Sequence, residues 1–189
     1  MSRDFLADRR KALEEEFFRQ QDKQKLEALR LAKERQATTR ELKEVSGIED
    51  EAVLEKLASL GLTRETLAAV ALAPLVHVAW ADRRIEERER GMVLARAHEK
   101  GIESGSPAYQ LLERWLSEPP PAALFEGWVG YVRALVGDLG AERAGELRRE
   151  LLTFAREVGK SAGGPGNLGK ITDQQQRVLE RIDAAFRGE

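Results

Sequence analysis

The chain has 189 residues, of which 42% are apolar and 34% are charged. This composition is typical of a folded protein with a buried core and an ionic surface, and it excludes a chain that is disordered throughout. Cysteine is absent, which excludes disulfides, thiolate metal ligands and cysteine nucleophiles. Lys and Arg number 31 and Asp and Glu 33, for a formal net charge of −2. The basic excess that favours nucleic-acid binding is therefore missing.

Targeting and membrane signals are not evident in the sequence. The first residues carry charges of both signs and lack the apolar stretch of a secretory signal. The longest uncharged run, Leu67 to Ala81, contains Pro74 and is shorter than the roughly 20 residues that a membrane-spanning helix needs. We therefore expect a cytoplasmic protein with no membrane span, in which this run forms the buried central helix of a bundle.

A long helix is predicted over residues 1–37. Charges of both signs are dense from Arg3 to about Gln36, and neither glycine nor proline interrupts them. The apolar stripe of this segment is too sparse to stabilise a helix alone. Adjacent residues of a helix point about 100° apart, so the aromatic pair in this stripe needs a wide apolar face or two surfaces. The helix is expected to pack on its own domain or on a second protein chain through Phe5, Leu13, Phe17 and Phe18.

A helical hairpin is predicted next, over residues 38–62. Thr38 or Thr39 is expected to cap its first helix, which ends at Gly47. The spacing also fits a DNA-binding helix-turn-helix. The second helix, however, would begin with three acidic residues, 49–51, which phosphates repel. An ordinary αα-hairpin is the favoured interpretation.

Residues 63–189 predict a helical bundle. Apolar residues recur at helical spacing throughout this part of the chain, and no segment alternates with a period of two, so the predicted fold class is all-α. Pro74 is expected to kink the first of these helices or to divide it in two. Ser106 followed by Pro107 marks the start of another helix. The glycine-rich residues 161–167 predict a loop.

The segment 80–89, Trp-Ala-Asp-Arg-Arg-Ile-Glu-Glu-Arg-Glu, resembles the helix-to-helix turn of the TerB-like (tellurite-resistance) proteins. The pattern of that family is an apolar helix, Ala-Asp-Gly, one residue, Ile or Val, three residues and Glu. Asp82, Ile85 and Glu89 match this pattern, whereas Arg83 stands in place of the glycine. The match therefore includes the two acids of the motif.

A second, weaker copy of the motif lies 86 residues further along the chain. Gly169 and Ile171 match the pattern, while Leu168 and Gln175 replace its two acids. Each copy is followed by an apolar pair at the same offset, Met92-Val93 in the first and Val178-Leu179 in the second. A pseudo-symmetric pair of turns is therefore expected, and the resemblance covers about residues 67–186.

The resemblance implies a TerB-like orthogonal helical bundle, preceded by the long N-terminal helix. It further implies the absence of enzymatic activity, a role in tellurite resistance or another stress response, and binding of a divalent cation by clustered acids. Asp82, Glu86 and Glu89 would supply the oxygen ligands that such a cation prefers. The alternative interpretation is that Asp82 caps the helix that follows, while Glu86 and Glu87 complement its N-terminal dipole.

Residues capable of catalysis are not arranged in a recognisable motif. His77 and His98 match no metal or acid-base spacing, and the apolar surroundings of His77 predict a hydrogen-bonded core residue. We therefore expect no enzymatic activity and no cofactor. The predicted function is protein–protein contact, with a partner protein or by self-association through the N-terminal helix. The alternative is a divalent-metal-binding TerB-like module.

Overall fold

The computed structural model describes the backbone of residues 2–162 and 169–188 and the side chains of residues 16–162 and 169–188. Within those ranges the regular elements are helices and no strand occurs, which confirms the all-α class. In chain order the elements are α1 (Ser2–Ser46), α2 (Glu51–Ser59), a 3₁₀ helix (Leu67–Leu72), α3 (Ala73–Ala79), α4 (Glu87–Glu99), α5 (Pro107–Ser117), α6 (Leu124–Leu139), α7 (Ala141–Ser161) and α8 (Asp173–Arg187).

Helix α1 continues through residues 38 and 39 to Ser46, although the sequence pattern predicted that a new helix starts there. The predicted N-cap at Thr38 or Thr39 was wrong, because the hydroxyl of Thr38 donates to the carbonyl oxygen of Glu34, one turn earlier, at 3.0 Å. A threonine hydroxyl can cap a following turn or bond to the preceding turn of the same helix, and the sequence pattern does not distinguish the two. The chain divides into two compact units, an N-terminal unit (Met1–Thr38) and a C-terminal unit (Thr39–Glu189).

Helix α3 lies at the centre of the C-terminal unit and packs against α4, α5, α6, α7 and α8. Leu75, Val76 and Val78 of this helix are fully buried. Pro74 occupies its first turn, where the missing N–H costs no helical hydrogen bond, and the preceding residues form the separate 3₁₀ helix. The uncharged run is therefore divided in two, and its expected burial is confirmed.

The starts of the helices are fixed by polar side chains. The Ser106 hydroxyl accepts from the backbone N–H of Tyr109 at 3.2 Å, with Pro107 as the first residue of α5, as the sequence predicts. Asp50 belongs to the acidic group 49–51, and its carboxylate accepts from two backbone N–H groups at the start of α2. Part of the charge that argues against DNA binding thus has a structural role as a helix cap.

Charged side chains join α4 to α7. The Arg96 guanidinium lies over the ring of Phe154, 3.7 Å from its centroid, and its Nη2 is 2.6 Å from the Glu157 carboxylate. One turn further on, Lys100 Nζ is 2.7 Å from Glu150 Oε1. These contacts attach the C-terminal half of α4 to α7. The first turn of α4, at the other end of the helix, contains Glu89. None of the helices in the described ranges combines the length and the apolar character needed to cross a bilayer.

Candidate functional sites

Helices α4 and α8 begin with the same arrangement of groups. Glu86 is the N-cap of α4, and its backbone N–H donates to Glu89 Oε2 at 2.9 Å. Thr172 is the N-cap of α8, and its backbone N–H donates to Gln175 Oε1 at 3.1 Å. Each start is a capping box, in which the N-cap residue and the third helical residue satisfy one another.

The backbone that leads into each capping box also matches. Three residues before the N-cap, Arg83 has φ of 64° and Gly169 has φ of 84°. Both residues therefore lie in the left-handed region, which glycine adopts readily and other residues adopt at a cost. The two turns correspond at the offset of 86 residues that the sequence repeat predicts. Arg83 bears a side chain at a position whose backbone conformation favours glycine.

The two capping boxes contact one another inside the C-terminal unit. Gln175 Nε2 donates to Glu89 Oε1 at 3.1 Å, and both side chains are buried, with at most 2% of their surface exposed. A second bond joins the turns closer to solvent, where the Thr172 hydroxyl donates to Asp82 Oδ1 at 3.0 Å. Gly159 of α7 faces Gln175, and a Cβ at that glycine would lie 3.3 Å from Gln175 Oε1. Because Gly159 has no side chain, α7 leaves space at this point for the side chain of Gln175.

Burial raises the pKa of Glu89 to about 7. The negative charges of Glu86 and Asp82 act in the same direction, whereas the hydrogen bonds from the Glu86 N–H and from Gln175 favour the ionised form and oppose the shift. Desolvation of the carboxylate is the largest of these effects. The contact between the two turns therefore contains a carboxyl group that changes its charge near neutral pH.

The three residues predicted to bind a cation, Asp82, Glu86 and Glu89, occur in this turn and are close enough for the first two to influence the pKa of the third. Both oxygens of Glu89 accept hydrogen bonds, as does Asp82 Oδ1. Over the residues described, no group of three or more His, Asp or Glu side chains is placed to hold a metal ion. The alternative that Asp82 caps the following helix was wrong, because Glu86 is the N-cap of α4 and Asp82 instead accepts from the hydroxyl of Thr172, the N-cap of α8.

The two histidines have different surroundings. His77 Nδ1 lies 2.9 Å from the carbonyl oxygen of Ala73, and the ring packs edge-on against Phe125 with 5.1 Å between centroids. Burial lowers the pKa of His77. His98 lines an open surface depression of about 490 Å³ together with Leu94, Ala95, Glu99 and Tyr109. The expectation of a hydrogen-bonded His77 in apolar surroundings is confirmed.

The predicted partner-binding residues lie in the N-terminal unit. Phe17 and Phe18 are 58% and 60% exposed, with 6.1 Å between ring centroids in an edge-to-face arrangement. The side chains of Phe5 and Leu13 lie outside the described residues. Further along α1, three leucines are similarly exposed: Leu26, Leu29 and Leu31. The exposed apolar surface of this helix thus extends beyond the aromatic pair that the sequence pattern singled out.

Two residues of the buried contact were missed by reasoning from the sequence. Gln175 was interpreted only as a departure from the family's glutamate, although the repeat aligns it with Glu89 and the offset predicts equivalent places in the fold. Gly159 comes directly after the apolar Val158 in α7, and nothing in the sequence around it predicts a contact with another helix. Its role depends on the side chain that approaches it from another helix.

No family model, curated protein or solved structure matches this chain. The TerB-like resemblance therefore rests on the residues of the two turns. Independently of any family, the two turns share left-handed residues and capping boxes and are joined by hydrogen bonds.

Replacing Arg83 with glycine should stabilise the protein. The substitution removes the cost of a left-handed arginine, offset in part by the greater freedom of glycine in the unfolded chain, so we expect a gain of about 0.5–1 kcal/mol. Arg84→Gly is the matched control, because Arg84 does not have a positive φ, and it should lower stability. Denaturant unfolding measures both changes. A loss of stability in Arg83→Gly would contradict the strain assigned to this turn.

The free energy of unfolding should depend on pH through Glu89. A carboxyl group whose folded pKa is about 7, against about 4.3 when unfolded, contributes stability that is complete below the unfolded pKa. That contribution is lost as pH rises through 7, and it amounts to at most about 4 kcal/mol. Glu89→Gln should reduce the fall in stability between pH 5 and 8.

The exposed carboxylate of Glu87, in the same helical turn, provides the control for this measurement. Glu87→Gln should retain the pH dependence of the unsubstituted protein. Equal pH dependence in the Glu89→Gln variant and in the unsubstituted protein would show that Glu89 is not the group responsible.

Proposed function

We propose that this protein acts through protein–protein contacts made by the N-terminal unit, without catalytic activity of its own. The observation that carries the proposal is the exposure of Phe17 and Phe18 at 58% and 60%. Two adjacent phenylalanines present a large apolar area to water, and aromatic residues are enriched in the cores of protein interfaces.

The rest of the described N-terminal unit supports this role. Leu26, Leu29 and Leu31 are each more than half exposed, so five large apolar side chains face solvent within four to five helical turns. Single exposed apolar residues need no explanation, but a group of this size typically marks an interaction surface. Charged residues lie between them, as at interfaces where a polar rim surrounds apolar anchors.

The pathway proposed for this contact is a stress response, including tellurite resistance, in the cytoplasm. It is supported by the TerB-like residues Asp82, Ile85 and Glu89 in the first turn. It is supported further by the left-handed backbone of Arg83, at the position where the family pattern has glycine. In this proposal the C-terminal unit is a TerB-like module and the N-terminal helix supplies its contact with another chain.

A second candidate function is binding of a divalent cation by Asp82, Glu86 and Glu89. The observation in its favour is that Asp82 and Glu86 both raise the pKa of Glu89 by their charge, so three carboxylates share one region. A cation would have to displace the hydrogen bonds that Glu89 accepts from Gln175 and from the Glu86 N–H. These bonds argue against cation binding at this turn.

Titration with calcium or zinc distinguishes the two candidates. A ligand bound only by the folded protein at 100 times its Kd would stabilise it by about 2.7 kcal/mol. We expect no change in the thermal midpoint at about 1 mM of either metal. A rise that disappears in the Asp82→Asn variant would instead support cation binding, since the amide oxygen can still accept from Thr172 while the charge is removed.

The contact itself is tested by affinity purification of the full chain from its own cells, followed by quantitative mass spectrometry. Phe17→Gln/Phe18→Gln should reduce recovery of a specific partner, or of an untagged copy of this chain, by about tenfold or more, because interface aromatics often contribute over 1.4 kcal/mol each. Val45→Gln is the control, since Val45 is an exposed apolar residue of α1 outside the N-terminal unit. Equal recovery with all variants would overturn the proposal.

A further inference from the structure

The exposed apolar residues of α1 form two stripes. At about 100° per residue, Phe18 and Leu29 point within roughly 20° of one another, with Leu26 on the flank of the same face. Phe17 and Leu31 lie about 100–140° away from Phe18 on a second face. All five side chains are more than half exposed. One helix therefore offers two apolar stripes, which meet where the rings of Phe17 and Phe18 pack edge-to-face and diverge towards Leu29 and Leu31.

The first stripe contains two opposite charges between its apolar ends. Phe18, Asp22, Lys25 and Leu29 follow one another at spacings of four, three and four residues, the repeat that places residues along one seam of a coiled coil. Both charged residues are exposed. Any helix that packs along this seam has to accommodate an acid and a base in its middle.

The order of these charges selects the orientation of a second identical helix. In an antiparallel pair with Phe18 opposite Leu29, the same register places Asp22 opposite Lys25, and symmetry repeats both contacts. In a parallel pair aligned in register, Asp22 meets Asp22 and Lys25 meets Lys25. Opposite charges across such a seam stabilise an interface, and like charges destabilise it.

We propose that the Phe18–Leu29 stripe binds the same stripe of a second copy of this chain, with the two helices antiparallel. This inference rests on the proposed function and names one of its partners. The pairing leaves Phe17 and Leu31 outside the seam, so the second stripe remains accessible to a different protein. The two stripes thereby separate self-association from contact with another partner.

The mass of the full chain in solution, measured by light scattering and sedimentation over about 1–300 µM, tests the pairing. The unsubstituted chain should form dimers, and Phe18→Gln or Leu29→Gln should weaken dimerisation by about tenfold or more. Leu31→Gln is the matched control for Leu29→Gln, because it removes a similarly exposed leucine from the other stripe, away from the contact between the two phenylalanine rings, and it should leave the mass unchanged. These side chains are exposed, so helix content by circular dichroism should be retained in every variant.

Charge reversal tests the orientation. Asp22→Lys or Lys25→Asp alone places like charges at both symmetric contacts of the antiparallel pair and should weaken the dimer by about tenfold, whereas the double substitution should restore it. In the parallel pair, each residue faces its own copy, so single reversals would have little effect. Unchanged dimerisation in both single variants would overturn the antiparallel arrangement.

Distance measurement between spin labels provides an independent test, because the chain has no cysteine and a single introduced cysteine is the only label site. In this antiparallel register, a residue and its copy on the other helix are separated along the helix axis by a distance that follows from the rise of about 1.5 Å per residue. That separation is about 2 Å for Lys23 and about 40 Å for Ala37. Labels at Ala37→Cys should therefore be at least about 15 Å further apart than labels at Lys23→Cys. Equal separations would overturn the proposal.

The outcomes also separate this inference from the proposed function. A chain that stays monomeric at 300 µM, but whose Phe17→Gln/Phe18→Gln variant loses a heterologous partner, overturns self-pairing and leaves the proposed function standing. A dimer that responds to Leu31→Gln and not to Leu29→Gln assigns self-association to the other stripe and overturns the pairing proposed here.

Discussion

The hydrogen bond between Glu89 and Gln175 is the contact on which the arrangement of the two turns depends. Moving a carboxyl group out of water is costly unless its oxygens find partners, and Glu89 finds one on its own helix and one on α8. Because the same side chain closes the capping box of α4 and reaches α8, the start of one helix determines where the other can start. Among the side chains that the structure describes, these are the two buried polar groups, surrounded by apolar residues of the C-terminal unit.

The two turns share their backbone geometry although their side chains differ. Arg83 and Gly169 share a left-handed conformation although one is a charged residue and the other is glycine. Glu89 and Gln175 share the third position of a capping box, and their difference in chemistry allows one to donate to the other. Two glutamates at these positions would have to share a proton or repel one another, so the asymmetry makes a direct hydrogen bond between the copies available.

Much of the fold was predictable, because burial and capping leave periodic or local signals in the sequence. The all-α class, the buried run from residue 67, the start of a helix at Ser106 and the paired turns follow from such signals.

The continuity of α1 could not be predicted in this way, since the hydroxyl of Thr38 can serve either as a cap or as a donor within a helix. The alternative interpretation of the first turn placed the cap of α4 at Asp82 rather than at Glu86, because both are acids close to the helix start and only the backbone conformation distinguishes them. The exposure of Phe17 is likewise a tertiary property, which the pattern of a single helix leaves undetermined.

Gly159 imposes a condition that joins three helices. Its missing side chain provides the volume that the amide of Gln175 fills, and that amide in turn donates to Glu89. A methyl group at this position would lie 3.3 Å from Gln175 Oε1, so the amide would have to shift by a few tenths of an ångström, and that shift would disturb the hydrogen bond that it donates to Glu89. The length of the Gln175 side chain and the absence of one at residue 159 are therefore matched to a single distance, so the described interior of this unit has one tightly fitted polar contact within an otherwise apolar core.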